Sequence, residues 1–258
     1  MSRKIFIGDV HGHYQGLKLL WKLLSPTAAD HVYFVGDLID RGPQSAQVVD
    51  FVRQYGTGCV MGNHEQLLIN AFNDGSVRSS CLKGWLYSGG QSTLSSYRGE
   101  TKVFLEHLNW MRSLPLFLDL DDVWLVHAGL NPHLPIEEQS DYEMCWIRET
   151  FHSTSRPYFD DKWIVTGHTI TFTFDGINPG QIAAGKGWYD IDTGAYHPSS
   201  GWLSGLDWSR RELYQVNVFS PSESRILPLD EALVEINPVS VRGYAQKSSS
   251  QSKSQLHF

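Results

Sequence analysis

Short apolar runs alternate with segments of helical periodicity in the N-terminal part of the chain. The runs at residues 4–7, 32–35 and 59–61 predict three buried strands. After each run, apolar residues recur three and four positions apart, which predicts a helix. These periodic positions are Leu17, Leu20, Trp21 and Leu24, then Val48, Phe51, Val52 and Tyr55, then Leu68, Ala71 and Phe72. The order predicts a β-α-β-α-β-α start with parallel strands.

The pattern becomes less regular further along the chain. Residues 74–112 predict a partly helical insert, and apolar runs at 123–126 and 163–165 predict two more strands. Between those strands, residues 142–151 predict a helix that carries Arg148. The pattern changes again at Trp188.

Short strands separated by Gly, Pro and Ser begin at Trp188 and predict an antiparallel meander. The stretch 245–255 is polar and low in complexity. We therefore expect a single domain over residues 1–240, followed by a disordered tail at residues 241–258.

Five of the predicted strands end in side chains that can bind metals or phosphate. In open α/β sheets, ligands bind beyond the carboxyl ends of the strands, because loops from several strands converge there. The sequence therefore predicts one shared site. Its candidate residues are Asp9 and His11, then Asp37, Asp40 and Arg41, then Asn63 and His64, then His127, then His168.

Carboxylate, amide and imidazole donors without a thiolate suit manganese, iron or zinc. The predicted metal ligands are Asp9, His11, Asp37, Asn63, His127 and His168. These donors suffice for two ions if one carboxylate bridges them, and Asp37, central in the series, is the predicted bridge. Two such ions activate a shared water and clamp the oxygens of an in-line phosphoryl displacement. A bridging hydroxide would then be the nucleophile.

The remaining polar residues suit the other steps of such a reaction. His64 follows the presumed ligand Asn63 and could protonate the leaving alkoxide, with Asp40 orienting its ring. Arg41 has the bidentate fork that suits a tetrahedral phosphate, and Arg148 is its predicted partner.

Several alternatives compete with this interpretation. Asp9 or Asp37 alone could cap a helix, and His168 alone could be an ordinary loop histidine. Residues 180–187 nearly match a phosphate-binding loop, but Gly187 replaces the required hydroxyl. A cysteine-based phosphatase needs an arginine six residues after its nucleophile, and none of the three cysteines has one. Five strand ends with ligand-type residues favour the metal site.

Composition narrows the class of protein. The net charge of -7 argues against a nucleic-acid surface. No apolar stretch is long enough to span a membrane, and the apolar run near Met1 is too short for a signal peptide. Three cysteines without paired spacing favour a reducing compartment. We expect a soluble, cytoplasmic protein.

With these residues in place, the sequence resembles the phosphoprotein phosphatase family of metallophosphoesterases, and most of all its bacterial and bacteriophage serine/threonine phosphatases. The similarity covers roughly residues 4–218. The motifs that carry it are GDVHG at 8–12, GDLIDRG at 36–42, GNHE at 62–65, HAG at 127–129 and GH at 167–168, supported by LYSGG at 86–90, WIRE at 146–149 and IDTGA at 191–195.

The resemblance implies a four-layer α/β/β/α sandwich with two mixed sheets. It implies that Asp9 and His11 bind one metal, that Asn63, His127 and His168 bind the other, and that Asp37 bridges. His64 is implied as the general acid paired with Asp40. Arg41 and Arg148 are implied as the phosphate clamp, and manganese is the ion most common among such relatives.

The expected activity is hydrolysis of phosphoserine or phosphothreonine in phosphoproteins, with phosphotyrosine as a further substrate. Symmetrical hydrolysis of dinucleoside tetraphosphates is the alternative, although many such hydrolases lack a carboxylate at the position of Asp40 and have Asp in place of Glu65. A non-catalytic phosphate-binding module is a third hypothesis. The loop at 196–200 departs from the family pattern, and no regulatory subunit is predicted.

Overall fold

Two six-stranded sheets form the centre of the computed structural model, which describes residues 2–73 and 76–241. The strands are β1 (Lys4–Ile7), β2 (His31–Phe34), β3 (Gly58–Cys59), β4 (Phe117–Leu120), β5 (Val123–Val126), β6 (Trp163–Thr166), β7 (Ile182–Gly185), β8 (Trp188–Asp190), β9 (Trp202–Asp207), β10 (Glu212–Asn217), β11 (Ser224–Pro228) and β12 (Leu233–Glu235). The order is β11-β10-β9-β1-β2-β3 in the first sheet and β12-β7-β8-β6-β5-β4 in the second.

Both sheets mix parallel and antiparallel pairs. In the first sheet β1, β2 and β3 are parallel, and β1 also pairs antiparallel with β9. In the second sheet β5, β6 and β8 are parallel, whereas β4 pairs antiparallel with β5. The predicted parallel start is therefore confirmed.

The helices lie outside the sheets and are mostly short. They are α1 (Tyr14–Leu24), α2 (Ser45–Tyr55), α3 (Asn63–Ala71), α4 (Ser79–Trp85), α5 (Gln91–Ser96), α6 (Thr101–Arg112), α7 (Asp141–Trp146), α8 (Glu149–His152) and α9 (Leu229–Ala232). A kinked turn at Leu86–Gly90, in which Gly89 has a φ of 113°, joins α4 to α5. Within the described residues, no helix combines the length and the apolar character needed to cross a bilayer.

Alternate residues of each central strand face different cores. Phe6 of β1 packs with Leu125 of β5 and Val165 of β6 between the two sheets. Its neighbours Ile5 and Ile7 instead pack on the outer face, against helices such as α1. Strands buried on both faces read as continuous apolar runs, which explains why the sequence reveals them.

The second sheet also has a covered outer face. Trp124 and Val126 of β5 pack there with Met144 of α7 and Phe151 of α8. The layers are thus helices, sheet, sheet and helices with loops. The predicted four-layer sandwich with two mixed sheets is confirmed.

The predicted helix at residues 142–151 is correct only in part, because the structure interrupts it at Ile147 and Arg148. In a continuous helix the carbonyl of Met144 would accept the N–H of Arg148. It instead accepts the N–H of Ala128, at 2.8 Å, and the backbone of Ile147 is not helical, with φ -58° and ψ 143°. The chain therefore breaks into α7 and α8, with Arg148 at the break.

The predicted meander is correct only in part. β9, β10 and β11 are antiparallel neighbours, but β8 belongs to the second sheet, where it pairs antiparallel with β7 and parallel with β6. The edge strand β4 and the strand β7 were not predicted. β7 occupies part of the segment 180–187, which therefore belongs to the sheet. The predicted tail lies outside the described residues except for Val241.

Candidate metal centre and active site

The carboxyl ends of strands from both sheets meet at one edge of the sandwich. The loops after β1, β2 and β3 come from the first sheet, and those after β5 and β6 come from the second. The predicted ligands and the predicted acid pair meet there, and all are buried. These residues are Asp9, His11, Asp37, Asn63, His127 and His168, with Asp40 and His64.

The two carboxylate oxygens of Asp37 face different histidines. Oδ1 lies 3.4 Å from Nε2 of His127, and Oδ2 lies 3.6 Å from Nε2 of His11. Ligand atoms of Asp9, Asp37 and His127 lie within 4.8 Å of one another, and so do those of His11, Asp37 and His64. Asp37 belongs to both groups, which is the arrangement that a shared carboxylate requires.

The three predicted histidine ligands are oriented in the same way. Each has one ring nitrogen close to a backbone carbonyl: His11 Nδ1 lies 2.9 Å from the oxygen of Ile39, His127 Nδ1 lies 2.8 Å from that of Val35, and His168 Nε2 lies 3.3 Å from that of Trp146. Because a carbonyl only accepts, that nitrogen carries the proton in a neutral ring. The other nitrogen is then an acceptor facing the cluster, as in metal-binding histidines.

Acceptor atoms consequently face one another at the centre of the cluster. Oδ1 of Asn63 lies 3.0 Å from Nε2 of His127 and 2.9 Å from Nδ1 of His168. With both rings neutral, no proton lies between these atoms. A cation would satisfy all three lone pairs, so the donor set fits divalent metal ions.

The electrostatics of the cluster agree with this fit. Burial lowers the pKa values of His11, His127 and His168, which favours the neutral, ligand-competent rings. Burial, together with the carboxylates of Asp192 and Asp37, raises the pKa of Asp9 well above its usual range. Crowded buried carboxylates are stabilised by bound cations.

The backbone at the site adopts an unfavourable conformation. Nine non-glycine residues have positive φ in the described part of the chain, and five belong to the predicted site. Those five are His11, Asp37, Asp40, Arg41 and His168. Left-handed backbone costs an L-residue about 1–2 kcal/mol. The surrounding fold holds these side chains in place against that cost, as is common at functional sites.

Two glycines allow the loops to approach closely. A Cβ atom at Gly62 would lie 2.2 Å from Oδ1 of Asp37, and one at Gly167 would lie 2.0 Å from Oδ1 of Asp9. Real side chains do not tolerate such contacts. This explains why glycine precedes both Asn63 and His168.

His64 is held by the predicted orienting carboxylate. Its Nδ1 lies 2.6 Å from Oδ2 of Asp40, and its Nε2 lies 3.9 Å from Oδ2 of Asp37. Burial lowers the pKa of His64, but the charges of Asp37 and Asp40 outweigh burial and leave this pKa raised. The ring is therefore suited to carry a proton.

Both predicted arginines line the same small cavity. The cavity has a volume of about 150 Å³, and His64, Arg41, Arg148 and Tyr196 are among its lining residues. The guanidinium of Arg41 lies 3.8 Å from the centre of the Tyr196 ring. Arg148 donates to the carbonyl oxygen of His168 at 3.1 Å and to Oγ1 of Thr169 at 2.9 Å. The break before α8 thus turns Arg148 toward the cluster.

A separate cavity of about 1060 Å³ is lined mainly by residues 132–135 and 149–158. Arg148 borders this segment, but none of the predicted site residues lines the larger cavity. The site is therefore identified by the chemical types of the residues that line the small cavity and not by cavity volume.

Glu65 is a residue whose role sequence reasoning missed. Its carboxylate accepts the backbone N–H groups of Asp37 at 2.9 Å, Leu38 at 2.9 Å and Gly62 at 3.0 Å. Burial, followed by the charge of Asp37, raises the pKa of Glu65 to about 7. Its place three residues after Gly62, the position of a capping glutamate, is the signal that could have revealed this.

The fold and the donor set are those expected of a metallophosphoesterase. The sequence profile of the calcineurin-like phosphoesterases matches residues 2–195, and the chain belongs to this family. Its members use a dinuclear metal centre, and the candidate ligands for one are present here.

Curated proteins similar to this chain include two kinds of enzyme. The symmetrical bis(5'-nucleosyl)-tetraphosphatases of Photorhabdus laumondii and Actinobacillus succinogenes are 31% and 34% identical over 59% and 49% of this chain. The matches cover 53% and 44% of those proteins, so the chain spans about half their length. Serine/threonine-protein phosphatase 2 of Escherichia coli is 28% identical over 77% of this chain and 89% of its own.

Solved structures with the same fold include a metallophosphoesterase from Sphaerobacter thermophilus, with a TM-score of 0.54 and 19% identity over 87% of this chain and 90% of that one. A protein serine/threonine phosphatase from Saccharomyces cerevisiae has a TM-score of 0.56 and 16% identity over 84% of this chain and 73% of that one. At these identities the likeness shows the fold alone.

Proposed function

We propose that this chain is a metal-dependent phosphomonoesterase whose substrates are phosphoserine and phosphothreonine residues of polypeptides. The observation that carries the proposal is the buried pair of His64 and Asp40, 2.6 Å apart. A serine or threonine alkoxide is a poor leaving group and needs a proton as the P–O bond breaks, which a positioned histidine supplies. A nucleotide leaving group is a stable anion and has less need of one.

Asp9, His11, Asp37, Asn63, His127 and His168 are the residues that would hold two divalent ions, with Asp37 shared. Manganese is the proposed ion, and iron or zinc would suit the same ligands. Bound there, such a pair lowers the pKa of water and neutralises charge on a phosphoryl group.

The protein's own side chains supply the remaining chemistry. Arg41 and Arg148 line the cavity from separate loops and can bind phosphate oxygens through their guanidinium groups. His64 lines the cavity, and its Nε2, the ring nitrogen that does not bind Asp40, can donate a proton to the leaving oxygen. Asp40 accepts from Nδ1 of His64, which fixes the ring and favours its protonated form. Burial of these residues excludes bulk water from the proton.

Symmetrical hydrolysis of dinucleoside tetraphosphates is the second candidate. Sequence identity favours this second candidate, because the two tetraphosphatases are 31% and 34% identical to this chain and the protein phosphatase is 28% identical. The protein phosphatase match extends over more of both chains. The acid pair of His64 and Asp40 is our reason for placing the phosphomonoesterase first.

A direct comparison of substrates tests the proposal. We expect the Mn²⁺-loaded protein to have a higher kcat/KM on a panel of phosphoserine and phosphothreonine peptides than on diadenosine tetraphosphate. The reverse order would favour the second candidate. No turnover of any phosphopeptide at micromolar enzyme would end the proposal.

A further inference from the structure

The carboxylate of Asp40 has more partners than His64 alone. Nε1 of Trp85 lies 3.0 Å from Oδ1 and 2.9 Å from Oδ2, and the Thr93 hydroxyl donates to Oδ1 at 2.6 Å. Asp40, Trp85 and Thr93 are all completely buried. The indole N–H lies close to both oxygens and the Thr93 hydroxyl binds Oδ1, while Oδ2 also faces Nδ1 of His64.

Thr93 also holds the backbone of the same aspartate. The N–H of Asp40 donates to Oγ1 of Thr93 at 2.9 Å and to Oγ of Ser45 at 3.1 Å. Asp40 has a φ of 72°, in the left-handed region that disfavours an L-residue. A single threonine hydroxyl thus bonds both the strained backbone and the carboxylate, which fixes the direction of the side chain.

Trp85 and Thr93 belong to one compact segment with the kinked turn Leu86–Gly90 between them. A Cβ atom at Gly90 would lie 2.4 Å from the Trp85 indole, so the turn packs directly on that ring. The carbonyl of Gly89 accepts the backbone N–H of Arg41 at 3.2 Å. This segment therefore contacts both Asp40 and Arg41. Neither Trp85 nor Thr93 lines the small cavity of about 150 Å³.

We propose that Trp85 and Thr93 are positioning residues for proton donation by His64, acting through Asp40. The proposal rests on the phosphomonoesterase function proposed above. Their two donors hold the Asp40 carboxylate in the one orientation that lets Oδ2 bind Nδ1 of His64 and direct Nε2 into the cavity.

The test removes each hydrogen bond with little change of shape. Trp85→Phe keeps a buried aromatic ring but loses the N–H, and Thr93→Val keeps the branched shape but loses the hydroxyl. Thr93→Ser retains a hydroxyl and should restore function. The matched control is Trp188→Phe, because Trp188 is also fully buried but its Nε1 has no hydrogen-bond partner among the described residues.

Two substrates separate positioning from general damage. For Trp85→Phe and Thr93→Val we expect kcat/KM on a phosphoserine peptide to fall about 10- to 100-fold, part of what a general acid contributes. On p-nitrophenyl phosphate, whose leaving group needs no proton, we expect a change of less than about 3-fold. Trp188→Phe and Thr93→Ser should stay near wild type on both. An equal loss on both substrates would overturn the proposal.

A second readout does not depend on turnover. The ring N–H proton of His64 that faces Asp40 should give a downfield proton NMR resonance, and this should shift in Trp85→Phe and Thr93→Val but not in Trp188→Phe. If the wild-type protein fails to hydrolyse phosphopeptides, the proposed function fails while this resonance still decides the positioning role. A resonance that is unchanged in both variants would overturn that role.

Discussion

Oδ1 of Asn63 lies 3.0 Å from Nε2 of His127, although 64 positions separate the two residues. Asn63 follows the last parallel strand of the first sheet, whereas His127 follows β5 in the second sheet. The contact therefore exists only when the two sheets pack face to face. The site therefore depends on the packing of both sheets. A substitution that moves a loop of one sheet should also shift the ligands that come from the other sheet.

Replacing Asp40 with asparagine should slow substrates according to their leaving groups. Without the carboxylate, His64 loses the partner that orients and protonates it. We expect kcat/KM for a phosphoserine peptide to fall about 100-fold or more, and that for p-nitrophenyl phosphate to change much less. The control is Asp50→Asn, because Asp50 also pairs with a buried histidine, His107 at 2.9 Å, outside the site. Equal losses on both substrates in Asp40→Asn would contradict this role.

Gly62→Ala should disrupt metal binding. The new methyl group would lie 2.2 Å from Oδ1 of Asp37, so the loop that carries the shared carboxylate must move. We expect metal affinity measured by calorimetry to fall at least about 10-fold. Gly84→Ala is the control: Gly84 lies in α4 with open space at its Cβ, and this change should stabilise the helix by up to about 1 kcal/mol. Unchanged affinity in Gly62→Ala would show that the close approach is unimportant.

Arg148→Ala should weaken binding of inorganic phosphate. A charge-assisted hydrogen bond contributes about 1.5–3 kcal/mol, so the inhibition constant should rise about 10- to 100-fold. Arg148→Lys should recover only part of this loss, because an ammonium lacks the planar fork. Arg156→Ala, an exposed arginine at the separate larger cavity, should leave the constant unchanged. Phosphate inhibition that is insensitive to Arg148 would exclude it from the clamp.

Asp30→Asn should destabilise the fold in a pH-dependent way. Oδ2 of Asp30 lies 2.8 Å from Nη2 of Arg3, and this hydrogen bond holds the pKa of Asp30 well below its usual range. A depressed folded-state pKa stabilises the protein fully above the unfolded pKa of about 3.9, and this stabilisation is lost as the pH falls toward the folded value. We expect urea unfolding at pH 7 to show a loss of about 1–3 kcal/mol.

The difference between wild type and Asp30→Asn should shrink as the pH falls below about 4. Asp230→Asn serves as the control, because the pair that Asp230 forms with Arg211 is largely exposed and contributes little. A difference in unfolding free energy that stays constant down to the acid transition would contradict the ion-pair explanation.

The strand-end residues were predictable because parallel strands place their loops at one edge. The apolar runs before Asp9, Asp37 and His127 are visible in the sequence since these strands are buried on both faces. Tertiary hydrogen bonds were not predictable. The break at Arg148 depends on Met144 accepting from Ala128, and nothing in the local periodicity of residues 142–151 indicates that bond.

The residues that support the site were missed for a related reason. Neither Glu65 nor Trp85 lines the small cavity of the site. From residue type alone, Glu65 suggests a helix cap and Trp85 suggests a core aromatic. Their importance follows from the partners they reach, the loop of Asp37 and the carboxylate of Asp40, which only the packed structure reveals.

The metal content of the purified protein tests the central claim most directly, namely that residues from both sheets hold two divalent ions through a shared Asp37. Elemental analysis after Mn²⁺ loading and dialysis should find two ions per chain in the wild type. The control Asp119→Asn should also hold two, because Asp119 is an exposed carboxylate on β4. Asp37→Asn should hold one or none. One ion or fewer in the wild type, or two in Asp37→Asn, would contradict the account.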